Sequence, residues 1–224
     1  MRGVAIGILW AAAGWAQAGH WEGKVKMGEN KELPLAVDLA NDAAGGWIGS
    51  MSIPGSTSRD VPIKVSVTGT TVQFAADLPQ RATFEGKLAA DGASIAGTAK
   101  NADGETTFQL TRSGEANVKT VTPSTAVARE FEGEWEATVD SGGRVRKVGL
   151  RLANGPDGKG TAVLIAGEQR MEIPASTVIQ NGKDLSLEVR AVSGSFRGTL
   201  KESGEMAGEW TEPSNKMPVV FRRK

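Results

Sequence analysis

The chain holds few residues that could do chemistry, and their spacing limits them further. His20 is its single histidine, and it has no cysteine. One imidazole without a thiolate cannot build a metal site, so no metal ligand is assigned. A Ser-His-Asp triad would have to use His20, yet no Gly-x-Ser-x-Gly elbow supplies the nucleophile. His20 reads as an exposed residue near a terminus, and Ser193-Gly194-Ser195 reads as a turn. Glu132, Glu134 and Glu136 alternate with Phe131, Gly133 and Trp135, which puts the carboxylates on the outer face of one strand. Glu202, Glu205, Glu209 and Glu212 scatter over the last hairpins. Glycoside hydrolysis needs two carboxylates held across a cleft, and nothing places a pair inside. Asn101-Ala-Asp103-Gly-Glu105 lacks calcium-loop spacing. Gly155-Pro-Asp157-Gly158-Lys159-Gly160 lacks the Walker spacing and a following helix. Arg222-Arg223-Lys224 is too short to imply nucleic-acid binding. The expectation is a protein that is not an enzyme and uses no cofactor.

Composition narrows the partners. Lys and Arg number 26 against 26 Asp and Glu, so the chain has no general pull on nucleic acid or on an anionic membrane. Without cysteine the fold must stand on its core alone. Residues 1–18 read as a secretory signal peptide. Arg2 gives the basic start, Val4 to Ala16 is apolar, and Ala16-Gln17-Ala18 offers small residues for cleavage. No later stretch is apolar enough to form an integral membrane span. The expected location is periplasmic or secreted.

The elements that must position any site are written twice. Residues 19–112 form a first repeat, 113–129 a Pro-, Ser- and Thr-containing linker, and 130–224 a second repeat. Leu35-Ala-Val37-Asp-Leu39-Ala-Asn41 matches Val148-Gly-Leu150-Arg-Leu152-Ala-Asn154. Val72-Gln-Phe74 matches Leu185-Ser-Leu187, Phe84-Glu-Gly86-Lys-Leu88 matches Phe196-Arg-Gly198-Thr-Leu200, and Ile95-Ala-Gly97 matches Met206-Ala-Gly208. The order never changes, which points to duplication of one unit. Apolar residues recur with period two, broken by turn pairs such as Asp91-Gly92 and Asn181-Gly182. This predicts an all-β protein with two tandem eight-stranded antiparallel up-and-down barrels. The first has strands near 20–27, 33–40, 47–54, 61–68, 71–77, 82–89, 93–100 and 105–112. In the second, 169–181 is expected to be one strand kinked at Pro174. Fusion of both copies into one larger barrel is the alternative.

Each copy opens with Gly-x-Trp and closes with an arginine: Gly19, Trp21 and Arg112, then Gly133, Trp135 and Arg223. This resembles the calycin superfamily of lipocalins, fatty-acid-binding proteins and avidins. The resemblance implies that Trp21 and Trp135 close the bottom of each barrel as structural caps, with Arg112 and Arg223 over them. The lipocalin Thr-Asp-x-Tyr-like motif is missing and the chain has no tyrosine, so the ligand class is not carried over. Trp210 has no aromatic match in the first copy, where Ala99 stands. In a meander it lies at the open mouth, where small ligands bind, which makes it the candidate ligand-binding residue. The expected function is an exported binding protein holding a small apolar or amphipathic ligand. The alternative is an interaction module with filled barrels whose loops grip another exported protein.

Overall fold

The computed structural model describes residues 16–27, 31–76, 78, 81–141 and 144–224. Most of the expected leader therefore lies outside the described residues. In the first repeat the strands are β1 (Gly19–Lys26), β2 (Glu32–Asn41), β3 (Trp47–Ser52), β4 (Val61–Thr68), β5 (Thr71–Ala76), β6 (Ala82–Leu88), β7 (Ser94–Asn101) and β8 (Gly104–Gly114). Each pairs antiparallel with its neighbour, and β8 returns to β1, closing the barrel. Closure leaves no free edge. The alternation decides what faces in: Trp21 and Val25 on β1, Leu35, Val37 and Leu39 on β2, Phe108 and Leu110 on β8 are all buried. Phe74 and Phe84 stack at 4.5 Å between centroids, and Phe108 meets both edge-on.

The second repeat corrects the expectation of a second closed eight-stranded barrel. Its strands are β9 (Gly133–Ser141), β10 (Arg144–Asn154), β11 (Gly160–Ala166), β12 (Met171–Pro174), β13 (Thr177–Asn181), β14 (Asp184–Val189), β15 (Gly194–Leu200), β16 (Met206–Glu212) and β17 (Asn215–Arg223). They form one nine-stranded sheet that runs from β12 at one edge to β13 at the other. The expected single strand at 169–181 is broken. Pro174 has no N–H to give, and the next two residues divide their allegiance. Ala175 N donates to Ala162 O at 2.8 Å, and Ser176 N donates to Glu188 O at 2.7 Å. The chain thus leaves β11 and joins β14 within two residues, and a seam opens there. A short 3-10 turn, Arg190–Val192, ends β14.

Residues 122–128 cover the lower part of that seam. Thr125 N donates to Val178 O of β13 at 2.9 Å, and Gly160 N of β11 donates to Thr125 O at 2.8 Å. Thr125 therefore bridges the two strands that do not pair with each other. The Asn154 side chain holds the N–H and C=O of Val127, at 2.9 and 2.8 Å. Val127 and Phe131 are buried in the second core.

Among the described residues no strand pairing joins the two sheets, so the single larger barrel is not formed. The repeats meet through Arg190. Its guanidinium donates to the carbonyls of Asp60 at 3.0 Å, Lys119 at 2.7 Å and Thr120 at 3.1 Å, and to the Glu188 carboxylate at 2.9 Å. Ser58 Oγ donates to Ala191 O and Ser193 Oγ to Thr57 O, at 2.8 and 2.6 Å.

A chain of residues 115–224 should therefore be more stable than one of residues 130–224. The shorter chain loses the Thr125 bridge and the burial of Val127. Hydrogen bonds at ~1 kcal/mol each and one buried valine put the loss on the order of 4 kcal/mol. Urea unfolding of both chains measures it, and coincident curves would mean that 113–129 is a passive connector.

Candidate functional site

Each sheet is closed at one end by an indole beneath a guanidinium. Trp21 and Arg112 are direct cross-strand neighbours, as are Trp135 and Arg223. The Arg112 guanidinium carbon lies 4.4 Å from the Trp21 ring centroid, and that of Arg223 lies 4.7 Å from Trp135. Both indoles are buried. Each indole N–H donates to the carbonyl four residues earlier at 2.9 Å: Trp21 to Gln17, Trp135 to Phe131. Each guanidinium donates to the carbonyls three and five residues before its tryptophan. Arg112 takes Ala18 and Ala16, and Arg223 takes Glu132 and Glu130. Arginine suits this task because its planar fork has only donors and stacks on an aromatic face. Contact with the guanidinium also explains the glycine of Gly-x-Trp. A Cβ on Gly19 would lie 2.5 Å from Arg112 Nη1, and Gly133 has φ +117 with Arg223 Nη1 at 3.1 Å.

The opposite ends are open and apolar. The mouth of the first barrel holds a cavity of about 290 Å³ lined by Val25, Leu33, Leu35, Met51 and Phe84, with Ala99 beside them. Lys100 stands at its rim, and Met171 of the second repeat completes its wall. The second mouth holds a cavity of about 270 Å³ lined by Val148, Leu164, Ile173, Val219 and Phe221. Trp210 lines this second cavity, and Arg146 and Glu212 stand at its rim. The Trp210 indole N–H donates to Glu212 Oε1 at 2.8 Å. The ring has room because residue 194 is glycine: a Cβ there would fall 2.2 Å from indole Cζ2.

The polar candidates do not form a reaction centre. His20 is not free at the surface: Nδ1 lies 2.9 Å from Asp38 Oδ1, and Nε2 lies 3.5 Å from Glu22. Asp38 Oδ1 also accepts the Asn117 N–H at 2.8 Å, which ties the inter-repeat segment to the first barrel. Burial lowers the His20 pKa, but the Asp38 and Glu22 carboxylates outweigh it and hold the ring above its ordinary 6.5. Ser50 is buried with its Oγ unpaired, and it neighbours Asp38 across β2 and β3. The row reads His20, Asp38, Ser50. Asp38 separates the serine from the imidazole by two strand spacings, about 9–10 Å, so the order is wrong for a nucleophile and its base. Ser193 Oγ is spent on the Thr57 carbonyl. Among the described residues no group of three His, Cys, Asp or Glu side chains is placed to hold a metal ion.

Sequence reasoning missed Asp38 and the rim cations Lys100 and Arg146. Asp38 had one available signal, its position opposite the only histidine in the first hairpin. Arg146 had one too, since it shares the inward parity of Leu150 and Leu152 and lies opposite Val139 at the end away from Trp135, whereas Lys100 had none, because it lies on the outward parity of β7.

No protein-family model matches the chain, and no curated protein matches it. Among solved structures the chain is similar to a protein of unknown function from the DUF3598 family of Nostoc punctiforme. The identity is 12%, the TM-score is 0.27, and the match covers 95% of this chain and 98% of that one. It is also similar to a "putative outer membrane protein" from Bacteroides fragilis at 12% identity and a TM-score of 0.31, over 95% and 99% of the two chains. At these scores the likenesses decide nothing about function. No helix among the described residues is long and apolar enough to cross a membrane.

Two outcomes follow from this geometry. Trp21→Ala or Trp135→Ala should cost about 3–5 kcal/mol, as for large buried aromatics. Arg112→Ala or Arg223→Ala should cost less, and each pair should be non-additive in a double-mutant cycle. Additive effects would show that the stacked pair has no energetic coupling. The second outcome concerns pH. Because the folded His20 pKa is raised, its contribution is complete below about pH 6.5 and is lost as pH rises through the folded value. Between about pH 6 and pH 8 the wild type should lose stability relative to His20→Gln. Parallel pH profiles for the two would sink the His20–Asp38 contribution.

Proposed function

We propose that the protein is an exported, non-catalytic binding protein that takes a small apolar or amphipathic molecule into the mouth of a barrel. A calycin-like origin of both repeats goes with this reading. The observation that carries it is the pair of apolar cavities at the ends opposite the caps, about 290 and 270 Å³. Both lie just below the usual range for small-ligand sites, about 300–1,000 Å³. Below them the interiors are filled, by the Phe74, Phe84 and Phe108 cluster in one repeat and by Phe196 against Phe221 in the other. A ligand therefore enters a shallow mouth, not a deep lumen.

The second mouth is the better site. Trp210 gives it a large flat wall, and Arg146 offers a cation at the rim for the polar end of an amphiphile. Burying about 300 Å² of apolar ligand surface returns roughly 7 kcal/mol before association costs. That alone corresponds to a Kd of about 10 μM, and association costs bring it to about millimolar unless a rim charge adds to it. The second reading, a protein-interaction module, draws on exposed apolar residues. Val145 is 71% exposed, Met171 45% and Met27 39%, and Met27 and Met171 border the first mouth.

Titration with short-chain fatty acids and aromatic probes, followed by tryptophan fluorescence, separates the two. A saturable change that disappears in Trp210→Phe, with binding still seen calorimetrically, is the expected result. Gly194→Val, which crowds the indole, should weaken binding at least tenfold. Absence of saturable binding by any probe would leave protein interaction as the better account.

A further inference from the structure

We infer that Ala16, Gln17 and Ala18 belong to the folded first repeat, so that export processing cuts on their amino-terminal side. This rests on the leader reading of the sequence. What carries it is the match between the two caps. In the second repeat the guanidinium and indole take the carbonyls of Glu130, Phe131 and Glu132. In the first, the same three roles fall to Ala16, Gln17 and Ala18. The offsets from the tryptophan are identical, so residues 16–18 are the first repeat's copy of 130–132.

A cut after Ala18 would remove all three carbonyls. The buried Trp21 N–H would lose its acceptor, and two of the arms of Arg112 would lose theirs. The new ammonium at Gly19 would also stand beside the Arg112 guanidinium, like charge against like. Gln17 itself is buried at 2% exposure and donates from Nε2 to Gly69 O at 2.7 Å.

The sequence supplies another cleavage motif. Ala11-Ala12-Ala13 presents small residues ahead of Gly14. Hydrolysis there adds one water across the Ala13–Gly14 peptide bond. It leaves a carboxylate on the released leader and an ammonium at Gly14, two residues before Ala16 in the sequence.

Amino-terminal sequencing and intact mass of the exported protein test this directly. A chain that begins at Gly14, or anywhere up to Ala16, is the expected result, and a chain that begins at Gln17, Ala18 or Gly19 overturns it. A chain that still begins at Met1 keeps residues 16–18 and supports their retention, while removing the leader reading. The independent arm compares leaderless chains beginning at Gly14 and at Gly19. The shorter one should melt about 5–10 °C lower or lose its first-repeat transition. Arg112→Ala should matter in the Gly14 chain and add little in the Gly19 chain, while Arg223→Ala acts equally in both. Equal melting of the two chains, or equal effects of Arg112→Ala, overturns the inference.

Discussion

A guanidinium laid across an indole, with its remaining donors on backbone carbonyls, is the contact on which the rest of each sheet depends. The indole fills the bottom of the sheet and would otherwise bury an N–H without a partner. The guanidinium would otherwise sit over an apolar surface with unspent donors. Three carbonyls from the turn before the first strand satisfy both groups at once. The same contact joins the chain entering the first strand to the end of the last one. In the first repeat this fixes the β1–β8 pair that closes the barrel. In the second it fixes β9 against β17 and leaves any opening to occur elsewhere.

The opening occurs where the sheet has least to hold it. β12 is four residues long and ends in Pro174, and β13 begins after a two-residue break. The backbone groups that an open seam exposes need partners. Thr125 supplies them from outside the repeat as the sequence divides it. The segment between the copies is thus both a connector and a piece of wall. Its beginning is tied to Asp38 of the first barrel, and its middle is gripped by Arg190. The relative position of the two mouths follows from those ties. Met171 can therefore contribute to the wall of the other repeat's cavity.

Strand parity was legible because a side chain on a barrel has only two directions. Leu35 and Val37, or Leu150 and Leu152, lie two apart and share the core. The seam was not legible. Pro62 sits inside β4, which continues unbroken to Thr68, while Pro174 ends β12. The same residue type gives opposite results because the difference lies in which neighbour each following N–H finds. The role of residues 113–129 was hidden for a related reason. Its contacts run through backbone groups, which every sequence possesses. The placement of Trp210 at a mouth was readable from the meander, since the strand before the last, β16, runs away from the cap. The depth of that mouth was not readable, because it depends on how the rings beneath it pack.

Those rings show how one scaffold arrives at two different mouths. In the first repeat Phe84 lies between Phe74 on β5 and Ala99 on β7. In the second, the matching Phe196 lies between Leu187 on β14 and Trp210 on β16. The large ring beside the central phenylalanine has moved from one flank to the other, and a smaller residue has taken its former place. Leu187 and Trp210 together are bulkier than Phe74 and Ala99, and the second interior makes room for the indole at Gly194. The surface offered to an entering molecule is not conserved. Beside Ala99 it has no indole and is bordered by Lys100 and Asn101, while beside Trp210 it carries an indole whose N–H is already held by Glu212. The cap end admits no such exchange, because its two side chains must meet three carbonyls at fixed offsets. The two repeats can therefore differ at the mouths, where side chains change without undoing the cap.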